Sequence, residues 1–193
     1  MSVVDVDGWA APLSEDAPCG EDLEYDPLFV EMEHAAQGRA AQEMGDVATE
    51  AEDPDWRAVR KACEQLFSRT RDLRVTIYLA RALLHTEGWT GFADALDLLR
   101  RLVVDHWDAV HPELDHEDND DATMRLNTLL NLCDRQALLR SVRLTPIVSS
   151  RGLGRFCLRD IDLASGRLDA AEGGGANARH GCDRRGFPRL RAR

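Results

Sequence analysis

Apolar residues recur along this chain at the three- and four-residue intervals that make one face of a helix apolar, and they do so in five blocks. The first follows Asp26-Pro27, a capping side chain ahead of a proline that suits the first helical position. Leu28, Phe29, Met32 and Ala35 or Ala36 then mark a helix over 27–37 that Gly38 ends. Asp53-Pro54 repeats the signal, and Trp56, Val59, Cys63, Leu66 and Phe67 trace the stripe of a second helix ending near Thr70. The third block starts at the cap Asp72. Its Val75, Ile77, Tyr78, Leu79, Ala82, Leu83 and Leu84 surround most of the circumference, so this helix should be the central buried one, with Gly88 as its stop.

Thr90 is the expected cap of a fourth helix with Phe92, Leu96, Leu99, Val103 and Trp107 inward and Asp94, Asp97, Arg100 and Arg101 outward, closed by His111-Pro112. A fifth spans about 122–140 with Leu126, Leu129, Leu130, Cys133 and Ala137 inward. Residues 1–24 lack periodicity and read as an irregular arm packing through Trp9 and Leu13, and 39–53 as an acidic, mobile or weakly helical connector. After Pro146 the runs PIVSS and RFCLRDIDLA flank RGLG, which predicts a β-hairpin over 145–162. The fold class is therefore mainly α: an antiparallel helical domain of about five helices over residues 1–166, with a short β-hairpin near its C-terminal end.

Composition changes the picture mainly at that end. Net charge is −11, yet residues 167–193 hold seven arginines against three acids, leaving 17 basic and 32 acidic residues before them. The body at −15 argues against a nucleic-acid groove and an anionic membrane surface, and the Gly-, Arg- and Ala-rich tail is expected to be disordered. No apolar run nears the roughly 18 residues of a membrane span, and no export signal precedes an apolar segment. Five scattered cysteines without a C-x-x-C pair fit reduced thiols in a cytoplasm.

Candidate chemistry concentrates between the fourth and fifth helices, where His111, Glu113, Asp115, His116, Glu117, Asp118, Asp120 and Asp121 crowd one loop. A calcium loop starting at Asp115 would need Gly at 120 and Glu at 126, where Asp120 and Leu126 stand, and no thiolate or second histidine pair completes a zinc set. A solvated loop whose acids favour the positive end of the next helix explains the residues without a ligand. No G-x-S-x-G elbow or Walker sequence occurs, RGLGR lacks the third glycine of a dinucleotide site, and His180 with Cys182 lies in the tail. No metal, cofactor or catalytic residue is expected; the alternative is a metal-dependent or carboxylate hydrolase using loop 111–121. Trp89, a large ring beside Gly88 and Gly91, is a candidate partner contact, whereas Trp56, Asp72, Arg74, Trp107 and Arg125 read as core, caps or ion pairs.

The segments GEDLEYDPLF (20–29), residues 53–102, HWDAVHPELDHEDND (106–120) and GRFCLRDIDLASG (154–166) resemble, in the same order, the N-terminal domain of the ImpA/TssA family. Trp56-Arg57, Thr70 with Asp72-Leu73-Arg74, Trp107 with His111-Pro112, and Asp118 with Arg125 carry the resemblance together. It implies a cytoplasmic, non-enzymatic scaffold of the bacterial type VI secretion machine, contacting baseplate, sheath or tube proteins, with room for self-association. Trp89, His111, Glu113, Asp115 and Asp118 are the expected contact residues. Family members usually continue into a ring-forming C-terminal region that this sequence lacks, and the tail resembles nothing in the family. Its composition would suit a frameshifted reading of GC-rich DNA.

Overall fold

Each long helix begins where a side chain or a glycine meets the free amides of its first turn. Asp26 accepts from the Leu28 amide to start α2 (Pro27–Gln37), Asp55 caps α3 (Trp56–Leu66), and Asp72 caps α4 (Leu73–Thr86). α5 (Trp89–Asp105) starts at Gly88, which has no side chain to offer. The computed structural model describes residues 2–38, 42–44, 47–49, 53–152 and 154–168. It is mainly helical with an antiparallel hairpin near the C-terminal end, as the apolar pattern predicts. The chain divides into two compact units, Met1–Asp134 and Arg135–Arg193.

In the first unit, α4 packs against both α3 and α5, α2 against α3, and the short α1 (Val6–Ala10) against α5. α4 buries Leu73, Val75, Thr76, Ile77, Leu79, Ala80, Ala82, Leu83 and Leu84, which makes it the centre of the core. Gly91 permits a close approach: a Cβ there would stand 3.1 Å from the Leu83 Cβ of α4. α6 (Thr123–Leu130), preceded by a 3-10 turn over His116–Asp118, also touches α4. In the second unit, α7 (Leu138–Leu144) packs on α8 (Leu158–Ala164), which follows the antiparallel pair β3 (Pro146–Ser150) and β4 (Gly154–Cys157).

Several expectations need correcting. The arm is not wholly irregular: Asp5 caps α1, Val6 is buried, and Trp9 stacks on Phe67 at 5.0 Å. Within the connector, Gln42–Met44 pairs antiparallel with Val47–Thr49. These strands are β1 and β2. α5 begins at Gly88 rather than at Thr90, and its buried stripe is Gly91, Ala95, Leu98, Leu99 and Leu102, so Leu96 faces outward.

The fifth block is broken. α6 stops at Leu130, Asn131–Cys133 forms a 3-10 turn, and Leu126, Leu130 and Cys133 are exposed while Arg125 is buried. The helical stripe there was misassigned by one position because a buried arginine takes the inward place of a leucine. The C-terminal hairpin ends at Cys157, where the Asp160 carboxylate, three residues on, accepts from the Cys157 amide at 2.9 Å and opens α8. Leu158–Ala164 is therefore helix, and residues 169–193 of the expected disordered tail lie outside the described residues.

Two measurements check this packing. Leu83→Ala should lower unfolding stability by about 2–5 kcal/mol in urea titration, because Leu83 is fully buried in the central helix. A thiol reagent applied to the native protein, followed by peptide mapping, should modify the exposed Cys133 well before the buried Cys19, Cys63 and Cys157.

Candidate functional site

The polar residues of the ImpA/TssA-like pattern converge on one short run between α3 and α4, Thr70 to Arg74. Its main chain is bridged on one side to Gly20 and on the other to His111. The Arg71 amide donates to the Cys19 carbonyl at 2.7 Å, and the Thr70 hydroxyl donates to the Glu21 carbonyl at 2.7 Å. The Leu73 amide donates to the His111 carbonyl at 2.8 Å, and the His111 amide to the Arg71 carbonyl at 3.1 Å. Gly20 has φ +71°, and a side chain on it would run into the Arg69 carbonyl.

Three charged side chains in and around this run are buried. Asp72, with no exposed surface, accepts from the Arg74 amide at 2.6 Å and pairs with the Arg74 guanidinium at 2.7 Å. Arg74 also reaches Asp22 at 2.5 Å and Glu24 at 2.9 Å, binding the first segment to the start of α4. Burial alone would lower the Arg74 pKa, but Asp72 and Asp22 hold it above the usual arginine value.

Arg71, 3% exposed, donates instead to the carbonyls of Ala11 at 2.9 Å, Gly8 at 3.2 Å and Phe67 at 2.5 Å, anchoring α1 and the residue after it. Arg125, fully buried, donates to the carbonyls of Pro112 and Val110, each at 2.7 Å, and of Trp107, and its guanidinium stands 4.9 Å from the centre of the Trp107 ring. Among the described residues neither Arg71 nor Arg125 forms an ion pair with a carboxylate, and burial lowers the pKa of both. Cys19 is buried nearby. Its thiol pKa is raised by burial against the opposing influence of these two cations.

His111 is 2% exposed. Its Nε2 lies 3.2 Å from the Gly20 carbonyl, which can only accept, so in the neutral ring Nδ1 is the bare nitrogen. That nitrogen has no hydrogen-bond partner, and the Glu113 carboxylate is 3.9 Å away. Buried in this way, His111 does not present its ring to a partner surface.

The rest of the acidic loop spends its groups on itself. Asp115 accepts from the amides of Glu117 at 3.0 Å and Asp118 at 3.3 Å, and its main chain bridges to Asp121. His116 meets Asp120 at 2.6 Å, and Asp121 accepts from the Thr123 hydroxyl at 3.0 Å. Among the described residues no three His, Cys, Asp or Glu side chains are placed to hold a metal ion. The hydrolase alternative therefore has no converging carboxylates to build on. Glu113 and Asp118 are exposed, and Asp118 does not pair with Arg125.

Trp89 sits on the first turn of α5 rather than on a tight loop. It is half-buried, edge-on to Phe92 at 6.2 Å, with its indole N–H buried and unpartnered. Trp56, the first residue of α3, is half-buried and stacked on His85 at 4.5 Å. Sequence reasoning missed Arg71, which lies between two recognised residues but offers no periodic signal of its own. It also missed Arg81, which lies 5.0 Å from the Trp56 ring centre.

A helical unit whose signature side chains fasten its own backbone is a fold-holding arrangement. Residues 10–134 match the family described as ImpA, N-terminal, type VI secretion system, close to the bounds of the first unit. The chain belongs to that family. It is 42% identical over 164 residues to the type VI secretion system component TssA1 of Pseudomonas aeruginosa, covering 85% of this chain and 47% of that protein. It therefore spans about half the length of this curated relative. The N-terminal domain of the TssA component from Burkholderia cenocepacia shares the fold, with TM-score 0.64 at 24% identity, over 86% of this chain and 60% of that one.

Arg125→Met should cost about 3–5 kcal/mol in chemical denaturation, since three carbonyls lose their donor in a closed interior. Arg125→Lys should recover only a fraction, because an ammonium cannot span three acceptors with a planar fork.

Proposed function

We propose that this chain is a non-enzymatic, cytoplasmic protein-interaction scaffold of the type VI secretion apparatus, contacting baseplate, sheath or tube components during assembly. The observation that carries this reading is the exposed apolar face of α6. Leu126 at 55% and Leu130 at 61% exposure lie one turn apart on the same side of this eight-residue helix, directly after the acidic loop, while Met124 at 57% is exposed on a different side. Leaving the two leucines in water on so short a helix has a cost, and a partner surface that covers them removes it. Glu113, Asp115 and Asp118 are exposed on the preceding loop as further candidate contacts, and Trp89 offers a half-buried ring at the start of α5. His111 contributes by holding the loop's first residue in place.

Family membership supplies the secretion context. No helix among the described residues is long and apolar enough to cross a membrane. Pull-down of the full chain against purified baseplate, sheath and tube proteins tests the reading. Capture of one of them, reduced at least about tenfold by Leu126→Asp with Leu130→Asp at unchanged melting temperature, is the expected result. Failure to capture any of the three overturns it.

A further inference from the structure

Arg81 differs from the other buried or half-buried arginines of α3, α4 and α6. Arg60 pairs with Glu64 and Glu87, and Arg74 with Asp72, Asp22 and Glu24, while Arg125 spends its N–H groups on backbone carbonyls. Arg81 is half-buried on α4, its guanidinium carbon 5.0 Å from the Trp56 ring centre and 5.9 Å from that of Tyr78. His85, exposed, lies parallel to Trp56 at 4.5 Å and 5°, and the Tyr78 hydroxyl donates to Glu33 at 3.3 Å. Among the described residues no side chain or carbonyl accepts a hydrogen bond from Arg81, and the carboxylate that acts on its charge is Asp134.

We propose that Arg81, steadied by Trp56 and Tyr78, is a binding site for the side-chain carboxylate of an acidic residue in a partner polypeptide. The rings flank the guanidinium at 5.0 and 5.9 Å and restrict its side chain, so part of the rotamer entropy that a free arginine loses on binding is already spent. Partial burial weakens hydration of the cation, and among the described residues no hydrogen-bond acceptor offsets that loss, Asp134 acting on it only through its charge. A carboxylate oxygen pair does so through two parallel charge-assisted hydrogen bonds, stronger here than at a fully wetted site.

The charge of the body restricts the partner further. With 17 basic and 32 acidic residues ahead of the tail, it repels an acid-rich segment, so the fitting ligand is a lone acidic residue among apolar and basic ones. The inference rests on the chemistry of this cluster alone and stands whichever apparatus component is bound.

The test is made on the full chain labelled uniformly with 15N, following the side-chain Nε–H signal of Arg81, assigned by its loss in Arg81→Lys. The probes are an end-blocked pentapeptide with one glutamate among leucines and lysines, its glutamine counterpart, and inorganic phosphate. The glutamate peptide should shift the signal saturably, and the glutamine peptide should bind about tenfold more weakly or worse. Arg81→Lys, which keeps the charge but not the fork, should weaken glutamate-peptide binding by a similar factor, read from the Trp56 indole signal. Equal response to both peptides, no response to either, or an equal shift by phosphate at the same concentration overturns the proposal, the second outcome meaning that water alone serves these N–H groups.

Discussion

The main chain of Thr70 to Arg74 lies between two other segments of backbone, and the first unit depends on its being held from both sides. One side takes hydrogen bonds with Cys19 to Glu21, the other with His111. Residues some fifty positions earlier and forty later are thereby fixed to the start of the central helix, where Asp72 is both cap and ion-pair partner. Buried main-chain groups must find partners, and here the charged side chains complete that requirement. Arg71 serves the carbonyls at the N-terminal end, Arg125 those of 107–112, and Arg74 the acids before α2. Each cation is tied to a different stretch of chain, so the helices meet at one place without a continuous sheet.

This arrangement explains what could and could not be read from sequence. Capped, strongly periodic helices such as 27–37 and the third block were legible because local signals and burial agree. The block after Ala122 was not, because Arg125 occupies an inward position that an apolar-stripe reading gives to a leucine. Its neighbours Leu126 and Leu130 were then turned inward on paper and outward in the protein. The same limit applies to α5, where Gly91 and Ala95 form the tight side against α4, and small residues carry a weak hydrophobic signal. Of the site, Asp72, Arg74, Trp107, His111 and Arg125 were visible as a pattern. Their meeting was not, since they are up to fifty residues apart and only the fold brings them together.

The burial of these polar residues separates holding from contacting. His111 and Arg125 face the interior, and Asp115 of the loop caps the amides of Glu117 and Asp118. Groups available to another molecule lie elsewhere, on the apolar face of α6 and around Arg81. A domain built in this way keeps its shape by polar interactions inside.

Native-state hydrogen exchange tests the central role of Thr70 to Arg74 most directly. If this segment is the fastening on which the unit depends, the amides of Arg71, Leu73 and His111 exchange only through global unfolding, with the same denaturant dependence as the buried amides of α4. Exchange of these three through a low-energy local opening, while α4 stays protected, would contradict the account.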